Sequence, residues 1–412
     1  MCFRSLQNLL FKKMFSEKFL SYFTFISVSL AVISCFVAAA LPISLMAVWS
    51  ANLHLTTAQM AVAMLSYFLG CLVSLLFLAK ISNALGRKKA VLLAQAVALI
   101  SCIMFIDCNS DTVINSGRFL HGIYSGLITG SAMSWAVDSA PKGKEWLGTA
   151  ISVGGASFGL VTGSLIAGIG ANYDLVSSNS LFEIMMFLSI IISIMIFFSK
   201  ESLPVKFSLN KFIKVLKPTF KLPANKRAYF IMAAIGYVGC WGQCSFFQAL
   251  SPKIAMTLFE NNHNVTLLTA LIYLAITLPV ALCGFFTGSL NAATGIKFIM
   301  PLSFISGSAM FLSIAFHYEH AFLILLVTTG CLIGATMSLL LKLLLKDSAV
   351  SQRADIISFL YFTAYLGSAF PNLLIGKFFT NCSLESICIS FILWIFIYTS
   401  IVFITNIRLA KA

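Results

Sequence analysis

Twelve runs of mostly apolar residues follow one another along this chain, separated by short polar segments. A helix needs roughly 20 such residues to cross about 30 Å of hydrocarbon, and it satisfies its own backbone hydrogen bonds there. The runs lie near 20–42, 57–79, 90–106, 113–137, 147–169 and 180–199, then 229–250, 265–288, 298–316, 321–344, 354–376 and 384–406. Only 10% of the residues are charged and 59% are apolar, whereas a soluble domain carries about a quarter charged residues to wet its surface. The sequence therefore predicts an all-α integral membrane protein with twelve transmembrane helices.

The formal net charge of +14 first suggests a nucleic-acid partner, but the basic residues sit in short segments between apolar runs. Membrane topology accounts for them better. Of the 27 Lys and Arg, Arg118 falls inside a run and only Lys253 and Lys377 fall on the side opposite the chain termini. The positive-inside rule then places both termini in the cytoplasm, with a bacterial inner membrane as the expected location. Arg4, Lys12, Lys13 and Lys18 lead into a span too long for a signal-peptide core, and Met14 is a second candidate start. Most of the eleven cysteines lie within apolar runs, as small hydrophobes do. Cys240 and Cys244 stand one helical turn apart, with no His or second cysteine pair to complete a metal site. No cofactor is expected.

The longest interruption, 200–228, holds eight basic residues, one acid (Glu201) and three prolines (Pro204, Pro218, Pro223). It divides six runs from six, which predicts two pseudo-symmetric six-helix halves, 1–199 and 229–412, joined by a basic cytoplasmic linker. Part of that linker suits attachment to an anionic lipid surface. The halves also repeat. Gly86 and Lys88 after the second run correspond to Gly295 and Lys297 after the eighth, at a common offset of 209 residues. Parallel repeats of this kind are the architecture of carriers with a shared midplane site.

Two segments carry a family resemblance. Asn83-Ala-Leu-Gly86-Arg87-Lys88-Lys89 resembles the signature between spans two and three of the major facilitator superfamily. Gly117-Arg118-Phe119-Leu120-His121-Gly122 resembles its Arg-Phe-x-x-Gly entry to span four, and Asp138-Ser-Ala-Pro141 resembles the loop that follows. The chain departs from the pattern at Asn83, where the family carries an acid, and at Ala79, where it carries Gly. Gly154, Gly155, Gly159, Gly163 and Gly168 resemble the glycine-rich antiporter helix, with Leu160 where that pattern has Pro. The resemblance, to the twelve-span drug:proton antiporter-like branch, implies a monomeric secondary active transporter that moves a small organic solute by alternating access, with proton-coupled efflux as the first expectation. Uptake symport of an amino acid or organic acid is the alternative, and a non-transporting receptor or embedded enzyme a third. No nucleotide-binding loop and no zinc-protease or serine-hydrolase motif occurs to drive an ATP pump or an enzyme.

Individual residues sharpen these expectations. Arg118 lies inside span four, where a charge costs roughly 2.5–3.5 kcal/mol on insertion scales and usually marks a pathway; snorkelling to the interface is the bland reading. An anionic solute would suit Arg118, and a broad aromatic lining would suit lipophilic ones. His121, three residues on, is either a packed neutral ring or a proton relay. Glu183 is either an interior acid or a helix-start residue. Gln243, Gln248, Tyr273, Tyr361 and Tyr365 are polar or aromatic groups in apolar helices; the buried amides need partners, and some of the five are expected to line a cavity. Arg87 and Lys88 form a cytoplasmic group with Asp355 across the halves, with Asp138 as another partner; the resemblance implies a gate latch for Arg87. Gly155, Gly159 and Gly163, four residues apart, invite close helix packing and a surface for sliding.

Overall fold

The computed structural model describes residues 17–78, 80–106, 108–144, 146–217, 226–259, 264–287, 291–346, 350–378 and 382–411. They form fourteen helices and, among the described residues, no strand. Six long helices and a one-turn helix come first: α1 (Glu17–Leu53), α2 (Thr57–Phe77), α3 (Ser82–Leu85), α4 (Arg87–Phe105), α5 (Asp111–Asp138), α6 (Trp146–Asn172) and α7 (Ser178–Phe198). A short helix α8 (Leu209–Val215) lies in the basic segment. Six long helices follow: α9 (Arg227–Leu258), α10 (Val265–Phe286), α11 (Ala292–Ala315), α12 (Glu319–Leu345), α13 (Val350–Phe378) and α14 (Leu384–Lys411). Nine of the described helices are long and apolar enough to cross a membrane.

Two of the helices outrun the sequence reading for the same reason. In the sequence the first run ends at residue 42 and the seventh at 250. Instead α1 continues through Pro42 to Leu53, and α9 through Pro252 to Leu258. Inside a bundle, neighbouring helices hold a helix straight enough to survive one missing amide, so proline does not stop it. The internal repeat also loosens locally. Gly86 is a turn residue with φ of 88°, between α3 and α4, whereas Gly295 lies within α11, which starts earlier than expected behind an Asn291 cap.

Hydrogen bonds define the two ends of the bundle. At the terminal end, where the chain enters and leaves, the Lys200 amide donates to Thr24 and Asn406 donates to the Ala293 carbonyl. At the far end, Gln59 donates to Asp111 at 3.0 Å, joining α2 to α5. Within the first half α1 packs on α6, α2 on α5, and α4 on α5 and α7. Within the second half α9 packs on α13, α10 on α12, and α11 on α12 and α14. The halves meet along α2 with α13 and α6 with α10. The 209-residue offset carries α2 onto α10 and α6 onto α13, so the two seams are equivalent under a pseudo-two-fold.

The apolar core is continuous at one end only. One cluster holds Leu45, Trp49, Met60 and Phe182 of the first half together with Phe246, Phe311, Phe322 and Phe391 of the second, all in the far part of their helices. At the terminal end there are two separate clusters. One gathers Val28, Ala94, Trp135 and Ile196, and the other Met232, Ile296, Leu340 and Val402. Among the described residues the apolar core thus joins the halves at the far end and is divided between them at the terminal end. An Asn172–Asn264 side-chain bond of 2.8 Å crosses the seal. Outward faces are apolar, as on α7, where Phe187 is 63% and Ile194 54% exposed.

Candidate functional site

The interior site begins with two glycines. On α5, a β-carbon at Gly122 would lie 2.8 Å from the Gly70 α-carbon of α2 and would strike the Tyr67 carbonyl. Only hydrogen side chains let these backbones touch. One turn away, that close crossing holds Met64 and Tyr67 of α2 against Arg118 of α5. Arg118 is 1% exposed. It donates to the Ala39 carbonyl of α1 at 2.7 Å and to the Met64 sulfur at 2.9 Å, and its guanidinium carbon lies 4.7 Å from the Tyr67 ring centre. Its Nε has no hydrogen-bond partner. Among the described residues no carboxylate comes within ion-pair distance of it.

His121 is fully buried on the same helix, tilted against Phe105 with ring centres 5.1 Å apart, and neither ring nitrogen has a hydrogen-bond partner. Beyond the Tyr67 ring, its hydroxyl meets Ser125 at 3.3 Å, and Cys35 approaches the same serine at 3.6 Å.

The second half faces this group with a polar and aromatic layer. Gln248 of α9 bonds the Tyr273 hydroxyl of α10 at 2.7 Å, and the other end of its amide is free. Tyr273 lies within electrostatic reach of Arg118. Trp241 stands edge-on to Tyr361 and Tyr365, with ring centres 5.7 and 4.9 Å away. Tyr365 in turn reaches Phe68 of α2 at 6.4 Å, across the seam. Gln243 sits deeper, where its amide donates to Tyr398 at 2.7 Å within the second half.

At the terminal end a second polar group forms around Gly86. Arg87 Nε lies 3.3 Å from Asp138, and its Nη1 donates to Ser82 at 2.7 Å. Ser202 also donates to Asp138. Glu201 accepts the backbone amides of Arg87 and Lys88 at 3.0 and 3.1 Å, and that of Leu203 at 3.0 Å. A carboxylate at the start of α4 meets both the free amides and the positive end of the helix dipole. The Lys88 ammonium donates to the Phe197 carbonyl.

These positions sort the sequence expectations. Arg118, His121, Tyr273 and Tyr365 converge on the zone where the joined core gives way to the split one, and Gln243 lies behind them. Glu183 does not join them; it is exposed on α7. The Arg87 partner is Asp138, in its own half. Asp355 lies in α13, but its side chain is outside the described residues. Gly159 and Gly163 press against α1, a β-carbon at Gly159 lying 2.7 Å from the Ile33 carbonyl oxygen, and Gly155 faces Val32. They join helices of one half, and the seam between halves uses Gly168 against Ala270 instead. Sequence reasoning missed Tyr67, Met64 and Glu201. For the first two no local signal exists, and Glu201 is visible in the sequence only as the lone acid of a basic segment.

Residues 26–371 match the model of the Major Facilitator Superfamily. The chain belongs to this family. It is a multi-pass membrane protein. An uncharacterized transporter of Buchnera aphidicola subsp. Schizaphis graminum is 23% identical over 236 residues, covering 56% of this chain and 55% of that protein, so the match spans about half its length. Among solved structures, a bacterial homolog of the human lysosomal transporter Spinster, inward-facing and unoccupied, superimposes with a TM-score of 0.70 at 14% identity, over 96% of this chain and 99% of that one. Nucleoside transporter NupG gives 0.66 at 13% identity, over 94% and 98%. At these identities the likeness is one of fold.

Proposed function

We propose that this superfamily member is a secondary carrier of a small organic solute that works by alternating access, with the arrangement described here open toward the terminal end. The supporting observation is the core: continuous across the halves at the far end, split in two at the terminal end, with the Arg118 group where the two zones meet. A solute entering the split would reach that group. Closing the terminal end and parting the far seal would release it on the other side. On the same reading the terminal end is cytoplasmic. Asn179→Cys, at the far end, should then be labelled by an impermeant thiol reagent added outside the cell, and labelling only after permeabilisation would reverse the orientation.

Charge bears on the coupling. Among the described acids, Glu17, Asp111, Asp138, Asp174, Glu201, Glu319 and Glu385 lie at helix ends or in connecting segments, and Glu183 is exposed on α7. His121 is then the group placed to carry a proton, facing Arg118 on its own helix and Phe105 from α4. A proton there would compete with a cationic solute, which gives exchange, and would draw in an anionic one, which gives symport. The unpaired Arg118 favours the anion, and with it symport over the proton-coupled efflux expected from the family resemblance. Flux into proteoliposomes with an imposed pH gradient tests this. Accumulation should follow the proton gradient and be uncoupled from it in His121→Asn, while accumulation indifferent to the gradient would remove proton coupling.

A further inference from the structure

We infer that the interior site takes a small organic monoanion with a flat apolar body, its carboxylate or sulfonate on Arg118 and its body against Phe68, Tyr365 and Trp241. The inference rests on the carrier reading above and names its substrate class.

The argument starts from what surrounds the guanidinium. Arg118 has five N–H donors in a rigid fork, suited to gripping two oxygens of one planar anion. Its two hydrogen bonds go to a carbonyl and a thioether, both neutral, and its third neighbour is the face of Tyr67. Nε is left over. A buried charge that has no counter-charge is the arrangement proteins avoid unless a ligand completes it. A neutral solute would leave the charge standing, and a dianion would replace it by one of opposite sign. A single negative charge closes the balance.

The rest of the solute is described by the opposite wall. Trp241, Tyr361 and Tyr365 form an edge-on cluster, and Phe68 meets Tyr365 from the first half. Ring edges and faces arranged this way stack against a flat apolar body. Tyr273 and the free end of the Gln248 amide stand on the same side and offer one further polar contact. The N-half therefore holds the charge, and the C-half, joined by Phe68, holds the body. A solute bound to both would tie together the two parts that must rock.

Four probes sharing one ring separate the alternatives: benzoate, benzamide, benzylamine and phthalate, added to the purified full-length protein in nanodiscs. Thermal stability and the tryptophan fluorescence that Trp241 contributes are read out. Benzoate should stabilise and quench, with the other three weaker by about tenfold or more, the scale of a lost charge-assisted pair. Arg118→Gln should erase the preference for benzoate over benzamide, and Arg118→Lys should keep it at reduced affinity. The melting temperatures of the unliganded variants show that each is folded. Benzamide or benzylamine matching benzoate in the wild type, or no response to benzoate, overturns the monoanion site. The carrier reading is judged separately by counterflow of benzenesulfonate, a membrane-impermeant monoanion. Binding without counterflow would sink transport and leave the site standing. Counterflow of neutral or cationic solutes with no monoanion binding would do the reverse.

Discussion

Arg118 makes the strongest demand of the described residues, because none of them answers it with a charge. Removing that charge should ease insertion of α5 by up to roughly 2.5–3.5 kcal/mol on insertion scales. Arg118→Ala is therefore expected to express and fold like the wild type while losing transport, as solute flux and thermal stability measured together would show. An Ala variant with ordinary flux would reduce Arg118 to a packed residue. Glu201 acts at the opposite level. It accepts three backbone amides, two of them at the first turn of α4. Glu201→Ala should lower stability by about 1 kcal/mol, the usual loss of a helix-start acceptor. Thermal melts check this, and an unchanged melt would show that water replaces the carboxylate freely.

Among the elements, the α2–α5 crossing carries the site. Gly122 faces Gly70 and the Tyr67 carbonyl with no room for a β-carbon, so Gly122→Val must push the helices apart. Overpacking of this kind costs about 1–3 kcal/mol, and it withdraws Met64 and Tyr67 from Arg118. The variant should lose benzoate binding out of proportion to its loss of stability. Retained binding with a lowered melt would separate the crossing from the site. The glycines of α6 do a different job, locking α6 to α1 within one half. The short helix α8 lies on the surface with Leu209 and Ile213 exposed among Lys211 and Lys214, the composition that suits an anionic leaflet.

For the whole molecule, the question is which end is closed. Asn172 and Asn264 bond across the far seal at 2.8 Å, so cysteines placed there in a background free of the native thiols should join readily. The joined protein should stop transporting and recover on reduction. Undiminished flux in the cross-linked protein would rule out opening at that end. Arg87 is engaged by Asp138 within its own half while the terminal end is parted. The proposed pairing of Arg87 with Asp355 belongs to the other state. A charge swap that restores transport lost in each single variant would support it, and strict additivity would remove it.

The twelve spans, the imbalance of basic residues between the two ends and an arginine inside span four could be read from sequence alone, because hydrophobicity and charge act over a window of about twenty residues. The same window stops short of the helix ends at Leu53 and Leu258, since a helix inside a bundle runs on past its apolar stretch and through Pro42 and Pro252. The sequence also left Glu183 open between an interior and an edge position; the orientation of α7 turned it outward. The partners of Arg118 come from residues 39, 64 and 67, and those of Arg87 from 138 and 201. Such pairings depend on which helix faces meet after the chain has folded back several times. That information is not present in any one segment, and only the tertiary structure supplies it.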